Sequence, residues 1–279
     1  MYYFESFMIN KIGVMQGRLL PKYKGRYQAH PVGYWFEEFA LAKEIKLDCI
    51  EFILDWDEVN KNPLVKKGGL DLIDSVVNNT GVEVNTVCAD FLMDVPIHSD
   101  DYEVARHSQN LLFILLRNAS LIGVTDIIIP CVDQSSIVNK RVENRFVEML
   151  LPVVELAEQK KMNLSLETDL NPLSYSKLLK RFHSSRVTVN YDIGNSASLG
   201  FDPREELDTY GDKITDIHIK DRILGGGPVI LGNGNADFDV FFNKLKEFQY
   251  HGPYIMQAYR DEEGLEIFKK QLEWVRPFL

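Results

Sequence analysis

The chain is short of what an extracellular or membrane setting demands. It has three cysteines, Cys49, Cys88 and Cys131, in 279 residues. Each falls inside a different predicted strand and none forms a CxxC pair. A disulfide framework is therefore excluded, and the cysteines are expected to be small core hydrophobes in a reducing compartment. No apolar run approaches the ~20 residues needed to span a bilayer. Met1 to Asn10 is apolar, but it carries Glu5 and lacks both a basic start and a small-residue cleavage site, so no signal peptide is expected. The expectation is a cytoplasmic protein with no membrane partner. Basic charge is also in deficit, with 31 Lys and Arg against 41 Asp and Glu, a net charge of −10. Phosphate backbones demand a basic face, so no nucleic-acid partner is expected. Low-complexity segments, charge blocks and linkers are missing, and no GxGxxG follows the first strand, which leaves a dinucleotide fold unsupported.

What is present is alternation. Predicted strands are Ile12–Gln16, Asp48–Leu54, Glu83–Ala89, Asp126–Val132, Asn163–Thr168, Val187–Asp192, Ile214–Ile219 and Pro253–Ala258. They are mostly short, rich in Val and Ile, and bounded by Gly, Asp or Asn. Helical periodicity fills most of the gaps, over Trp35–Ile45, Leu70–Asn79, Tyr102–Ile122, Arg141–Lys160, Ser174–Phe182, Pro203–Tyr210 and Phe238–Phe248. Alternating strands and helices make a parallel sheet, and eight such units favour closure. The fold expected is α/β, a (β/α)8 TIM barrel, one domain over residues 1–279. That is an ordinary size for such a barrel, which needs about 250 residues. A last helix, Glu262–Phe278, would close the ring.

Four strings place polar groups at the ends of the last four strands: Asn163-Leu-Ser-Leu-Glu167, Thr188-Val-Asn-Tyr-Asp192, Asp216-Ile-His218-Ile-Lys220 and Tyr254-Ile-Met-Gln257. Side chains alternate along a strand. Ser165 and Glu167 therefore share one face, as do Thr188, Asn190 and Asp192, and Asp216, His218 and Lys220. The intervening Val, Ile, Leu and Tyr take the face toward the helices. Polar groups pointing into a barrel are costly unless paired or bound to metal. Asp192 alone could start a turn, and His218 alone could be a core histidine. At one depth of neighbouring strands, Glu167, Asp192, His218 and Gln257 point to one divalent metal; Mn, Mg, Co and Zn all suit such donors.

Gly13-Val-Met-Gln-Gly-Arg18, Leu166-Glu167-Thr168, Asp192-Ile-Gly-Asn195, His218-Ile-Lys-Asp221 and Gly232-Asn-Gly234, in this order and spacing, resemble the xylose-isomerase-like barrel superfamily. The nearest likeness is to its sugar and sugar-phosphate isomerases and epimerases, and it spans essentially the whole chain. The resemblance implies that Glu167, Asp192 and His218 are three of the family's four metal ligands. The fourth is usually a Glu ending strand eight; here it is Gln257. An amide oxygen can bind a hard cation but carries no charge and cannot act as a base. Ketose epimerases use two carboxylates on opposite faces of a carbon, whereas aldose–ketose isomerisation can use one. The expectation is therefore isomerisation, with Glu167 as base and Lys220 stabilising an enediolate oxygen. An epimerase-fold lyase or dehydratase, and a non-catalytic sugar binder, are the alternatives. Abasic-site endonucleases of the superfamily need more His and acidic ligands than this chain offers.

The stretch Arg18 to Pro31 after strand one holds Arg18, Lys22, Lys24 and Arg26 and no acid. Lys220, Arg222 and Arg260 follow strands seven and eight. Cations gathered at the predicted mouth suggest a small anionic or polyhydroxylated sugar substrate. Arg18, Arg222 and Arg260 are expected to bind it. Glu51, inward by parity on strand two, is expected to meet substrate hydroxyls as the resemblance implies, or else to partner a core cation. Trp35 and Trp56 could pack on a sugar face, with core packing favoured for Trp35. A homo-oligomer is compatible with the sequence.

Overall fold

Eight parallel strands close on themselves in the computed structural model, which describes residues 10–261 and 264–279. They are β1 (Ile12–Met15), β2 (Cys49–Ile53), β3 (Thr86–Cys88), β4 (Asp126–Cys131), β5 (Asn163–Thr168), β6 (Val187–Asp192), β7 (Ile214–Ile219) and β10 (Tyr254–Met256). The ring runs β1-β10-β7-β6-β5-β4-β3-β2. Between β7 and β10 lies a separate antiparallel ribbon, β8 (Asp221–Arg222) with β9 (Pro228–Val229). The expected TIM barrel is thus the observed architecture.

Strand parity explains the layers. Outward residues such as Val14, Ile50, Phe52, Ile127, Leu164, Leu166, Val189, Ile217 and Met256 pack with helix residues Phe39, Phe146, Leu150, Phe241 and Phe268 in one buried shell. Removing each such side chain from water stabilises the fold by about 1.5–3 kcal/mol. Inside the barrel, Met15, Cys49, Ile53, Cys88, Ile128 and Ile255 form a second, smaller apolar cluster. The other half of the interior is polar and supplies the site. All three cysteines are buried and free. Burial pushes the Cys49, Cys88 and Cys131 thiols up, so they behave as inert core residues.

Helix starts follow capping chemistry. The side chains of Asp101, Asn139 and Asn171 accept backbone N–H groups at the starts of Tyr102–Ala119, Lys140–Lys160 and Pro172–Lys180. Short elements escaped the sequence reading, helix Phe91–Asp94 among them, and two of them lie by the site. Helix Ile193–Leu199 grows directly out of β6, because Asp192 ends the strand and caps the helix. The β8–β9 ribbon is too short to leave a periodic signal. The last helix is described over Glu266–Val275. Its expected start at Glu262, like Met1 to Ile9 of the N-terminal expectation, lies outside the described residues. Among the described residues no helix is long and apolar enough to cross a membrane.

Candidate active site

Strand parity brings Glu167, Asp192 and His218 together. Asp192 pairs with His218 across β6 and β7, and His218 with Ile255 across β7 and β10. A register shift at Val189/Asn190 lets the inward faces of β6 and β7 meet. Glu167, Asp192 and His218 are all buried, and one donor atom from each lies within 4.8 Å of the others. His218 Nδ1 stands 3.6 Å from Glu167 Oε2 and 3.9 Å from Asp192 Oδ2. Those separations exceed a hydrogen bond and suit donors around one ion at bond lengths of about 2.0–2.4 Å.

Each donor is held from behind. Asn195 Nδ2 donates to Glu167 Oε1 at 2.7 Å, and Asn190 Nδ2 to Oε2 at 3.0 Å. Asp192 splits its oxygens between two tasks. Oδ1 accepts Asn195 N–H at 2.8 Å as the helix cap, while Oδ2 faces His218 and accepts from Lys220 Nζ at 3.2 Å. Gly194 leaves room for this: a Cβ there would stand 2.7 Å from Lys220 Cγ. Asp192 therefore both starts a turn and converges with Glu167 and His218.

His218 is oriented by Glu51. Its Nε2 lies 2.9 Å from Glu51 Oε1, and Thr86 Oγ1 donates to Glu51 Oε2 at 2.8 Å. Glu51 is 0% exposed, so of its two expected roles the substrate contact gives way to the buried partner. An Nε2–H given to Glu51 leaves the Nδ1 lone pair toward Glu167 and Asp192, with the Asn190 amide Nδ2 3.1 Å from it. Burial opposes charge on His218, but Glu51, Glu167 and Asp192 outweigh it and hold the pKa up to about 9. Burial raises the Glu167 carboxyl, with His218 and Lys220 opposing.

Gln257 follows β10 and continues its ladder, its N–H donating to Ile219 O at 3.0 Å. It shares the inward face with Ile255. Its Nε2 donates to Gln28 Oε1 at 2.8 Å, while its buried Oε1 has no hydrogen-bond partner among the described residues. A buried amide oxygen with no partner among the described residues, on the inward face at the end of β10, is of a chemistry that a cation accepts as a donor.

The expected substrate cations divide. Arg222 Nη1 donates to Asn195 Oδ1 at 2.8 Å and is half-buried at the mouth. Arg18 donates to Ala258 O at 3.1 Å and Gln28 Oε1 at 3.2 Å, and its burial lowers its pKa to about 10, still charged. Arg260 is a correction. Its guanidinium bonds the carbonyls of Arg18, Leu20 and Gly264 and lies 4.4 Å over the Tyr27 ring, so it staples the first loop instead of facing the mouth. The loop's positive charge is likewise mostly spent. Lys24 pairs with Asp57 and Glu58, and Arg26 with Asp55, acids supplied by the stretch after β2. Trp35 is core, packed on Phe39 and Phe52. Trp56 is partly exposed and meets the edge of His107.

Several residues that build the site had no assigned role in the sequence. Asn195, three positions after the cap Asp192, gives its backbone N–H to that cap and its side-chain N–H to Glu167. Glu38 accepts the N–H groups of Gly17 and Leu19 on either side of Arg18. Asp221 accepts those of Gly232, Gly234 and Ala236 and shapes the late glycine turn.

Fold and site together define a class, the parallel eight-stranded barrels with a carboxylate–imidazole cradle at the C-terminal mouth. Residues 39–278 match the family model of xylose isomerase-like TIM barrels, and the chain belongs to that family. Among its relatives, the L-ribulose-5-phosphate 3-epimerase UlaE of Escherichia coli is 28% identical over 261 residues, covering 89% of this chain and 92% of that protein. The enzyme of the same name from Escherichia fergusonii matches equally. Solved structures of the same fold include a D-tagatose 3-epimerase-like protein, with TM-score 0.75, 18% identity and 96% of each chain covered. A 3-keto-D-glucoside 4-epimerase from E. coli has TM-score 0.74 and 17% identity, covering 96% of this chain and 100% of its own. The IOLI protein with bound zinc has TM-score 0.73 and 16% identity, covering 96% of both chains.

Proposed function

We propose that this protein is a divalent-metal-dependent enzyme, a single-domain barrel over residues 1–279, that moves a proton next to the carbonyl of a small sugar or sugar phosphate. The observation that carries this reading is the convergence of Glu167, Asp192 and His218; the Gln257 oxygen at the end of the next strand, unpartnered among the described residues, supports a fourth donor. Similarity to sugar-phosphate and sugar epimerases supports the substrate class. A zinc-bound and a magnesium-bound neighbour support the cofactor class but not its identity. A cation held by these four residues would polarise the sugar's carbonyl and hydroxyl oxygens. Glu167, clamped by Asn190 and Asn195, is the base that takes the proton from carbon. Lys220, anchored on Asp192 and Asn195, is placed to steady charge on the adjacent oxygen. Arg222 and Arg18 remain as the cations that could meet an anionic group.

Gln257 decides between reaction types. It cannot take or give a proton as a carboxylate would, so isomerisation through an enediol, with Glu167 as the one base, is favoured over two-base epimerisation. The test is turnover of a panel of ketoses, aldoses and their phosphates in deuterated water with Mn, Mg, Co or Zn added. Aldose–ketose exchange with deuterium at the reacting carbon is expected. Robust carbon-3 epimerisation would show a second acid or base. No turnover with any metal, alongside retained sugar binding, would show a binder instead.

A further inference from the structure

An amide can ligate a cation only through its oxygen, because its NH2 donates hydrogens and offers no acceptor. Gln257 must therefore face the site with the correct end, and its own strand does not choose that end. The loop after β1 does. Gln257 Nε2 donates to Gln28 Oε1 at 2.8 Å. The same oxygen accepts from Arg18 Nη2 at 3.2 Å, and Gln28 Nε2 donates to Asp90 Oδ1 at 3.3 Å. A guanidinium only donates, and Asp90 Oδ1 here accepts. Turning the Gln28 amide over would set N–H against N–H at Arg18 and oxygen against oxygen at Asp90. Turning Gln257 over would set two amide oxygens together. Both orientations are thus pinned from the Arg18 guanidinium inward, with Asp90 accepting at the far end. What remains is Gln257 Oε1, 4% exposed as a residue and without a partner among the described residues.

We infer that Gln28, held between Arg18 and Asp90, is the positioning residue that makes Gln257 an oxygen ligand. This rests on the cation reading of the site. A carboxylate at position 257 would have two equivalent oxygens and need no orienting partner. The dependence on Gln28 should therefore vanish when Gln257 is replaced by Glu, which a general structural role for Gln28 would not do.

The test is a double-mutant cycle on the full chain, read by calorimetric titration with Mn²⁺ and by the visible spectrum of bound Co²⁺. Gln28→Leu should weaken Mn²⁺ binding by about 10–100-fold, the usual effect of losing a residue that orients a ligand, and should alter the Co²⁺ spectrum. Gln28→Glu keeps an acceptor for both Arg18 and Gln257 but sets an oxygen against Asp90, so it should weaken binding clearly less than Gln28→Leu does. In the Gln257→Glu background, Gln28→Leu should change affinity by less than about twofold. Equal weakening in both backgrounds, or none in either, overturns the inference while leaving the cation reading intact. An unmodified protein that binds neither ion overturns the cation reading, and this inference with it.

Discussion

Replacing Glu51 with Gln separates two opposed effects on His218. The imidazole must be neutral at Nδ1 to bind a cation, yet it sits among carboxylates that favour its protonated form. Burial disfavours the imidazolium, but Glu51 at 2.9 Å, with Glu167 and Asp192, holds the pKa up to about 9. At pH 7, two units below that value, roughly one molecule in a hundred has the ring neutral. The sign follows directly. The proton is bound to the cation-free form and is lost as pH rises through about 9. Cation affinity should therefore rise about tenfold per pH unit below that value and level off above it. Glu51→Gln removes the foremost group raising the pKa, so the break should move to lower pH. It also removes the carboxylate that orients the ring, which costs about 10–100-fold in affinity. Near pH 7 the relief from proton competition, at most about 100-fold, offsets most of that loss. Above the wild-type break only the loss remains. Calorimetric titration with Mn²⁺ across the range from about pH 6 to pH 9.5 reads both curves. The reasoning is refuted by a wild-type affinity that does not change with pH, or by a Glu51→Gln break at the wild-type position.

Three further outcomes follow from particular contacts. Glu38 is buried, and burial lifts its carboxyl from 4.5 to about 7 against the Gly17 and Leu19 N–H donors. Its proton favours the folded state, so stability is full below about 4.5 and falls by roughly 3 kcal/mol as pH rises to about 7. Glu38→Gln should flatten that stretch of the urea-stability profile, and an unchanged slope would sink the assignment. Replacing Lys22, Lys24 and Arg26 together with Ala should shift KM equally for a phosphorylated ketose and its unphosphorylated analogue, because Lys24 and Arg26 are already paired with Asp57, Glu58 and Asp55. A loss confined to the phosphorylated sugar would return the loop to phosphate recognition. Gln257→Glu should increase carbon-3 epimerisation, followed by product analysis in deuterated water; no increase would mean that position 257 does not reach the reacting carbon.

The strand-borne part of this protein was legible before its structure. A period-two pattern states which face a residue shares, and such patterns at neighbouring strand ends were enough to gather Glu167, Asp192 and His218. What the pattern cannot state is where a donor is spent. Arg260, Lys24 and Arg26 read as cations at a mouth, yet each meets an acceptor from a segment remote in sequence, and a charge so engaged is no longer free for a ligand. Glu51 shows the same limit across the barrel: parity put it inside, but only the closed ring brings it against His218. The main departure from the family pattern joins both lessons. Gln for Glu at position 257 is plain in the sequence as a loss of charge and basicity. Its second consequence is not plain, because a neutral amide has a right and a wrong end while a carboxylate does not. The group that chooses the end must come from outside the strand, and here it comes from Gln28, in a loop without periodicity. Loops of this kind carry no pattern by which a sequence could announce such a partner, so the orienting half of an altered site becomes visible only in three dimensions.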